Sequence, residues 1–168
     1  MTASSFTILL LADRPDLAGK WAELHWREWG DEPGREELSW WVADAAQAVQ
    51  RTQVPLAVIA VGPDDNMLGG IGLHQFDPPE LQDRSPWVVG TIVRPDRRGQ
   101  GIGHALMSRL EVWTAGIGID QVWVATGDPA VNFYQQCGWE PVEQLLTQWG
   151  EMSTILTKHL SSTAGGVS

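Results

Sequence analysis

Val93-Arg94-Pro95-Asp96-Arg97-Arg98-Gly99-Gln100-Gly101-Ile102-Gly103-His104-Ala105-Leu106-Met107 is the stretch from which the fold of this chain can be read. Before it, residues 87–93 (Trp-Val-Val-Gly-Thr-Ile-Val) form an apolar, β-branched run with the composition of a buried strand. After it, Ala105, Leu106, Leu110, Val112 and Trp113 recur at helical spacing. Gly99, Gly101 and Gly103, with Arg97 and Arg98, join the two. Glycine allows positive φ and lets backbone N–H groups approach a ligand closely. A turn that feeds a helix N-terminus also offers unpaired N–H donors and the positive end of the helix dipole. Its natural ligand is a pyrophosphate. Arg97 and Arg98 add positive charge there, and His104 on the next turn either meets a phosphate or faces water.

The glycine spacing is not Gly-x-Gly-x-x-Gly, and the missing Gly-Lys-Ser/Thr ending excludes a P-loop nucleotide hydrolase. A glycine turn that only packs a helix on a sheet is the plain alternative. The segment Arg98-Gly99-Gln100-Gly101-Ile102-Gly103 resembles the Arg/Gln-x-x-Gly-x-Gly/Ala signature of the GNAT superfamily of acetyl-CoA-dependent N-acetyltransferases. The preceding Val-x-Pro and following Ala-Leu-Met are similar too. A second segment, Ala130-Val131-Asn132-Phe133-Tyr134-Gln135-Gln136-Cys137-Gly138-Trp139, resembles the family's Ala-x-x-Phe/Leu-Tyr-x-x-x-Gly-Phe.

The chain in order supports the same reading. Residues 6–11 are strand-like, and Asp16 is placed to cap a first helix that ends near residues 30–34. Residues 36–50 predict a second helix. Residues 56–61 and 68–73 predict a strand pair across a Gly-Pro-Asp-Asp-Asn turn, and the glycines of the second strand mark a bulge or a close backbone approach. Then follow the 87–93 strand, a helix over 102–115, a strand over 121–126 and a short helix over 130–137. Strands over 142–148 and 152–160 close the chain. The expected fold class is α/β (α+β). It is a single GNAT-like domain over residues 1–160, with a mixed, mostly antiparallel sheet of about six to seven strands flanked by about four helices. Residues 161–168 are expected to be a disordered tail.

Composition narrows the class. With 43% apolar and 19% charged residues over 168, the chain is globular. Its ten tryptophans belong mostly in a core, with some left to line a cleft. The single cysteine, Cys137, has no internal disulfide partner, which suits a reducing compartment. The apolar run at residues 6–12 is too short for a membrane span and has no basic leader, so a cytoplasmic protein with no membrane partner is expected. A net charge of −10 argues against nucleic acid and for a cationic partner. Charge is uneven: residues 94–109 carry four arginines and one acid, whereas residues 28–37 carry five acids and one base.

The resemblance implies roles for particular residues. Acetyl-CoA would be the donor and CoA the product. Arg97, Arg98, Gly99, Gln100, Gly101, Ile102, Gly103 and His104 would hold the pyrophosphate, and backbone at Ile92 and Val93 would orient the thioester. Tyr134, the only tyrosine, would protonate the departing thiolate, a role open to a phenol of pKa about 10 facing a thiol of about 8.5. The same ring also suits core packing beside Phe133 and Trp139. Asn132 would contact the pantetheine arm, or stand as a plain surface amide. The family's asparagine seven places before the tyrosine is here Gly127, followed by Asp128 and Pro129. A short Asp-containing turn with Gly-Trp after the tyrosine also occurs among aminoglycoside acetyltransferases, a local resemblance.

The family's strand glutamate is missing, since residues 88–93 hold neither acid nor imidazole. His74 is the first candidate base, with Asp77 and Glu28 next; each also suits a solvated or capping role. Cys137 is expected to be a structural thiol. Glu28, Trp29, Asp31 and Glu32, with Trp149 from the last loop, would form the acceptor walls, attracting a cation by charge and by cation–π contact. A solvated acidic turn over a Trp-rich core is the alternative. The expected partner is an amine, either a cationic small molecule such as an amino sugar or polyamine, or a basic peptide; a homodimer is also admitted. The rival readings are a non-catalytic acyl-CoA-binding module and an acyltransferase of the same fold with another donor or acceptor.

Overall fold

The structure is a computed structural model that describes residues 5–161. Among these residues the elements follow in the expected order: β1 (Thr7–Leu10), α1 (Ala18–Trp29), α2 (Leu38–Gln47), β2 (Leu56–Val61), β3 (Met67–His74), β4 (Trp87–Val93), α3 (Ile102–Gly116), β5 (Gln121–Thr126), α4 (Asp128–Gln136), β6 (Glu140–Leu146) and β7 (Met152–His159). The seven strands form one mixed sheet of order β1-β2-β3-β4-β5-β7-β6. β1 runs antiparallel to β2, and β7 antiparallel to both β5 and β6, whereas β4 and β5 are parallel where Trp87 faces Trp123. No helix among the described residues is long and apolar enough to cross a membrane. Residues 162–168 of the expected tail lie outside the described residues.

The described residues fall into two compact units. One runs to Gly72 and resumes over Gly90–Leu110; the other takes Leu73–Val89 and the chain from Glu111 onward. The first unit has a core of Leu11, Leu17, Trp21, Ala22, Trp41, Ala45, Ile59 and Ile92, all buried. Every residue of β2 is buried, which explains why Leu56–Val61 is apolar throughout rather than alternating. α1 lies against the sheet through glycine. A Cβ on Gly70 would stand 2.5 Å from the Trp21 ring, and one on Gly69 would stand 2.5 Å from the carbonyl oxygen of Ile92. The glycines of β3 are therefore sites of close approach, as their place inside a strand suggested.

Several boundaries move, each for a local reason. Asp16 does not cap α1. A 3-10 turn over Pro15–Leu17 precedes the helix, and the Asp16 carboxylate instead binds the Arg14 guanidinium at 2.8 and 3.0 Å. Arg14 also grips Asp65, and both carboxyls are held below the usual carboxylate range by that guanidinium. α2 stops at Gln47 because Val49 leaves the helix to bridge Leu56. β6 begins at Glu140 and ends at Leu146, and Thr147 starts a turn that accepts from Gly150 and donates to Glu151. Fewer tryptophans are fully buried than expected: Trp21, Trp41, Trp87 and Trp139 are buried, Trp26, Trp29, Trp113 and Trp123 are half-buried, and Trp40 and Trp149 are exposed.

Gly69→Ala should lower stability by about 1–3 kcal/mol, because the neighbour it meets is backbone and cannot swing aside. Gly19→Ala, in α1 with nothing near the added carbon, should raise stability by about 0.5 kcal/mol. Chemical denaturation of the two variants reads both signs.

Candidate active site

The first unit carries the glycine turn. Arg94 N–H donates to the Leu68 carbonyl at 2.8 Å, so the end of β4 is tied to β3. A 3-10 turn over Pro95–Arg97 follows, and the Arg94 side chain is neutralised by Asp96 at 2.8 Å. The Arg98 Nε–H turns back to the Val93 carbonyl at 2.9 Å, and the Arg97 Nε–H donates to the Gln100 amide oxygen at 3.1 Å. Both glycines at the apex are left-handed, Gly99 at φ 78° and Gly101 at φ 84°. A Cβ on either would meet nothing within 4 Å. Backbone conformation, not crowding, demands glycine there, and the space above the turn is open.

Ala105 N–H is bonded to the Gly101 carbonyl at 3.0 Å, so the N–H groups just before it belong to the helix end that lacks intrahelical acceptors. Ile102 is buried and anchors this end, while His104 is exposed on the first turn of α3. A helix N-terminus with open space before it and Arg97 and Arg98 in the preceding turn offers the N–H donors and charge that a pyrophosphate needs. Ile92 is buried and Val93 half-buried at the end of β4, and no acid or imidazole lies on that strand.

The same unit holds the acidic loop between α1 and α2. Indole N–H groups stitch it: Trp26 donates to the Glu36 carbonyl at 3.0 Å and Trp41 to the Arg35 carbonyl at 2.8 Å. Arg35, the one base of this loop, lies 4.5 Å above the Trp40 ring and 3.3 Å from Glu32. The loop thus seats a guanidinium on an indole face, with a carboxylate beside it. Glu28 and Asp31 are exposed and Trp29 is half-buried. Sequence reasoning counted these charges but missed Arg35 as the cation that one of the indole faces already holds.

The second unit carries Tyr134. It is 4% exposed, edge-on to Phe133 at 5.2 Å and to Trp139 at 5.5 Å. The loop after α4 is latched. Lys158 Nζ donates to the Cys137 carbonyl at 2.6 Å and pairs with Glu111 at 2.7 Å, and the Trp139 indole donates to the other Glu111 oxygen at 3.3 Å. Gly138, at φ 88°, lets the ammonium come close, since a Cβ there would lie 3.3 Å from Nζ. Neither Glu111 nor Lys158 stood out in the sequence, because 47 residues separate them.

Asn132 is exposed and lines an open groove with Asp128, Gln135, Gln144 and Thr154. At about 100° per residue it and Tyr134 leave α4 in nearly opposite directions. Asp128 opens α4 at the favourable end of its dipole. His74 ends β3, half-buried, and Asp77 is exposed beyond it. Trp149 is 74% exposed between β6 and β7. The structure therefore gathers the turn residues 92–104 with Glu28, Trp29, Asp31 and Glu32 in one unit, and Tyr134, Asn132, His74 and Trp149 in the other.

Comparison with known proteins gives a consistent picture. The family model described as acetyltransferase (GNAT) family matches residues 18–139. No curated protein matches the chain significantly. Among solved structures, aminoglycoside 6'-N-acetyltransferase complexed with coenzyme A superposes with a TM-score of 0.70 at 18% identity, covering 92% of this chain and 96% of that one. The aminoglycoside 6'-N-acetyltransferase from Enterococcus faecium gives 0.67 at 19% identity, covering 92% and 96%. An acetyltransferase of the GNAT family from Staphylococcus aureus Mu50 gives 0.65 at 14%, covering 94% and 100%. At these identities the likeness is one of fold.

Cys137 is half-buried, and burial, then the Glu111 carboxylate, pushes its thiol above the ordinary range. A raised pKa leaves less thiolate at any given pH. Alkylation by iodoacetamide at pH 8 should therefore be at least about tenfold slower in the folded protein than in urea, followed by mass spectrometry.

Proposed function

The chain belongs to the acetyltransferase (GNAT) family, and on that footing we propose that it acetylates the primary amine of a cationic small molecule, an amino sugar or polyamine before a basic peptide. As a family member it is an acyl-CoA-dependent N-acetyltransferase, and acetyl-CoA is its donor. The observation that carries the donor side is the open, left-handed Gly99-Gln100-Gly101 apex at the start of α3. The acceptor class rests on the acidic α1–α2 loop, where an indole face and a carboxylate already hold the guanidinium of Arg35. Relatives of the same fold whose names specify aminoglycoside 6'-N-acetyltransferase favour the amino sugar within that class.

In this reading the turn residues Arg97 to His104 hold the pyrophosphate by backbone N–H groups and the two guanidinium groups. N–H groups at Ile92 and Val93 polarise the thioester carbonyl. The acceptor amine attacks the carbonyl carbon directly, within a complex that holds both substrates. A C–N bond forms, the C–S bond breaks and its electron pair leaves on sulfur. Tyr134 gives its phenolic proton to that sulfur, so CoA departs as the thiol. The amine must shed a proton, because at neutral pH an alkylamine of pKa about 10 is protonated. With no acid on β4, His74 takes that proton, directly or through water, with Glu28 and Asp77 the next candidates.

Thiol release from acetyl-CoA, measured against polyamines, amino sugars, amino acids and basic peptides, tests the acceptor. Turnover confined to amino sugars or polyamines is expected; turnover with neutral amino acids alone would overturn the cationic assignment. Tyr134→Phe should lower kcat by about 100-fold while CoA affinity stays within about twofold, and equal rates would remove Tyr134 from the chemistry. Gly101→Val should abolish CoA binding in calorimetry, since a β-branched residue does not adopt φ 84° without strain.

A further inference from the structure

β4 contains a residue that an ordinary strand does not tolerate. Gly90 sits in mid-strand at φ 62°, a left-handed conformation that regular strand backbone does not adopt. That carbonyl oxygen lies 2.9 Å from Nε2 of His25 on α1. A carbonyl only accepts, so Nε2 carries the proton and donates it. Glycine is required twice at this position. The left-handed φ asks for it, and a Cβ would stand 2.7 Å from the imidazole nitrogen.

His25 is itself held. It is 8% exposed, and its ring centroid lies 3.8 Å from Trp21, 5.5 Å from Trp29 and 5.8 Å from Trp41. Three indoles leave the imidazole little room to rotate, so its donor points at one place. The nitrogen committed to Gly90 cannot at the same time accept a proton from an amine, so Nε2 of His25 is no substitute for the missing strand acid. The bond acts on conformation. Gly90 precedes Ile92 and Val93 by two and three residues, and rotation about the kink would redirect every N–H group that follows it.

We propose that His25 is a positioning residue for acetyl transfer: by pinning the Gly90 carbonyl it fixes the kink of β4, and so the direction of the Ile92 and Val93 N–H groups. This rests on the assignment of those groups to the thioester. A misdirected donor raises the barrier of the chemical step without touching the pyrophosphate turn, so the effect falls on kcat and spares CoA affinity.

His25→Phe keeps a buried ring and removes the donor, whereas His25→Gln restores an N–H near the place of Nε2. The phenylalanine variant should lose about 10- to 100-fold in kcat with CoA affinity within about twofold, and the glutamine variant should recover most of that loss. A phenylalanine variant at parental kcat, or two variants equally impaired, would overturn the proposal. A parent that acetylates no amine would instead overturn the functional reading beneath it. An independent readout needs no variant activity. In 15N-histidine spectra of the intact protein, with the resonance identified by its loss in His25→Gln, the neutral ring should carry its proton on Nε2. An Nδ1–H tautomer would sink the hydrogen bond and the proposal with it.

Discussion

The first unit depends on a steric constraint: two aromatic side chains one helical turn apart on α1 sit directly over glycines of the sheet. Trp21 covers Gly70 of β3, and His25 covers Gly90 of β4, with no room for a Cβ at either place. Gly69 lets the β4 backbone at Ile92 come equally close. Large rings pressed on bare backbone bury much apolar surface with few voids, which is where dispersion and the hydrophobic effect both gain. The contact also sets the depth and rotation of α1. That helix leads into the acidic loop, while β4 leads into the glycine turn, so one packing decision influences both substrate walls of the proposed reaction.

Charge is organised locally rather than by the net value. Arg94 is cancelled by Asp96 and Arg14 by two carboxylates, whereas Arg97 and Arg98 turn their Nε–H groups to the neutral oxygens of Gln100 and Val93. The positive character of the turn therefore comes from two arginines and a helix end, inside a chain of net charge −10. Across the acidic loop the logic reverses: Arg35 is drawn onto Trp40 by the same forces that would hold a cationic acceptor.

The second unit shows how a phenol is kept in place. Trp139 packs on Tyr134 edge-on, and that indole is tied to Glu111, which is tied to Lys158, which in turn caps the end of α4 at Cys137. A half-buried ion pair that also satisfies a helix-terminal carbonyl gives direction at modest cost in desolvation.

Much of this was legible in the sequence. The β-branched run at 87–93, the Arg98–Gly103 turn and the apolar spacing after it carry strand, left-handed glycine turn and helix in one continuous segment, because each depends on local backbone preference. The helix that carries Tyr134 was legible by its motif, and β2 and β5 to the residue. Helix ends were less so: Asp16 looked like a cap, but its carboxylate pairs with Arg14, which Asp65 also binds. What only the tertiary structure decided is pairing across distance. That His25 meets Gly90, 65 residues on, that Lys158 caps α4, and that Arg35 fills an indole face are choices among many surfaces of similar composition. Local sequence sets φ, ψ and periodicity, whereas the identity of a neighbour follows from which elements the core brings within a few ångströms of each other.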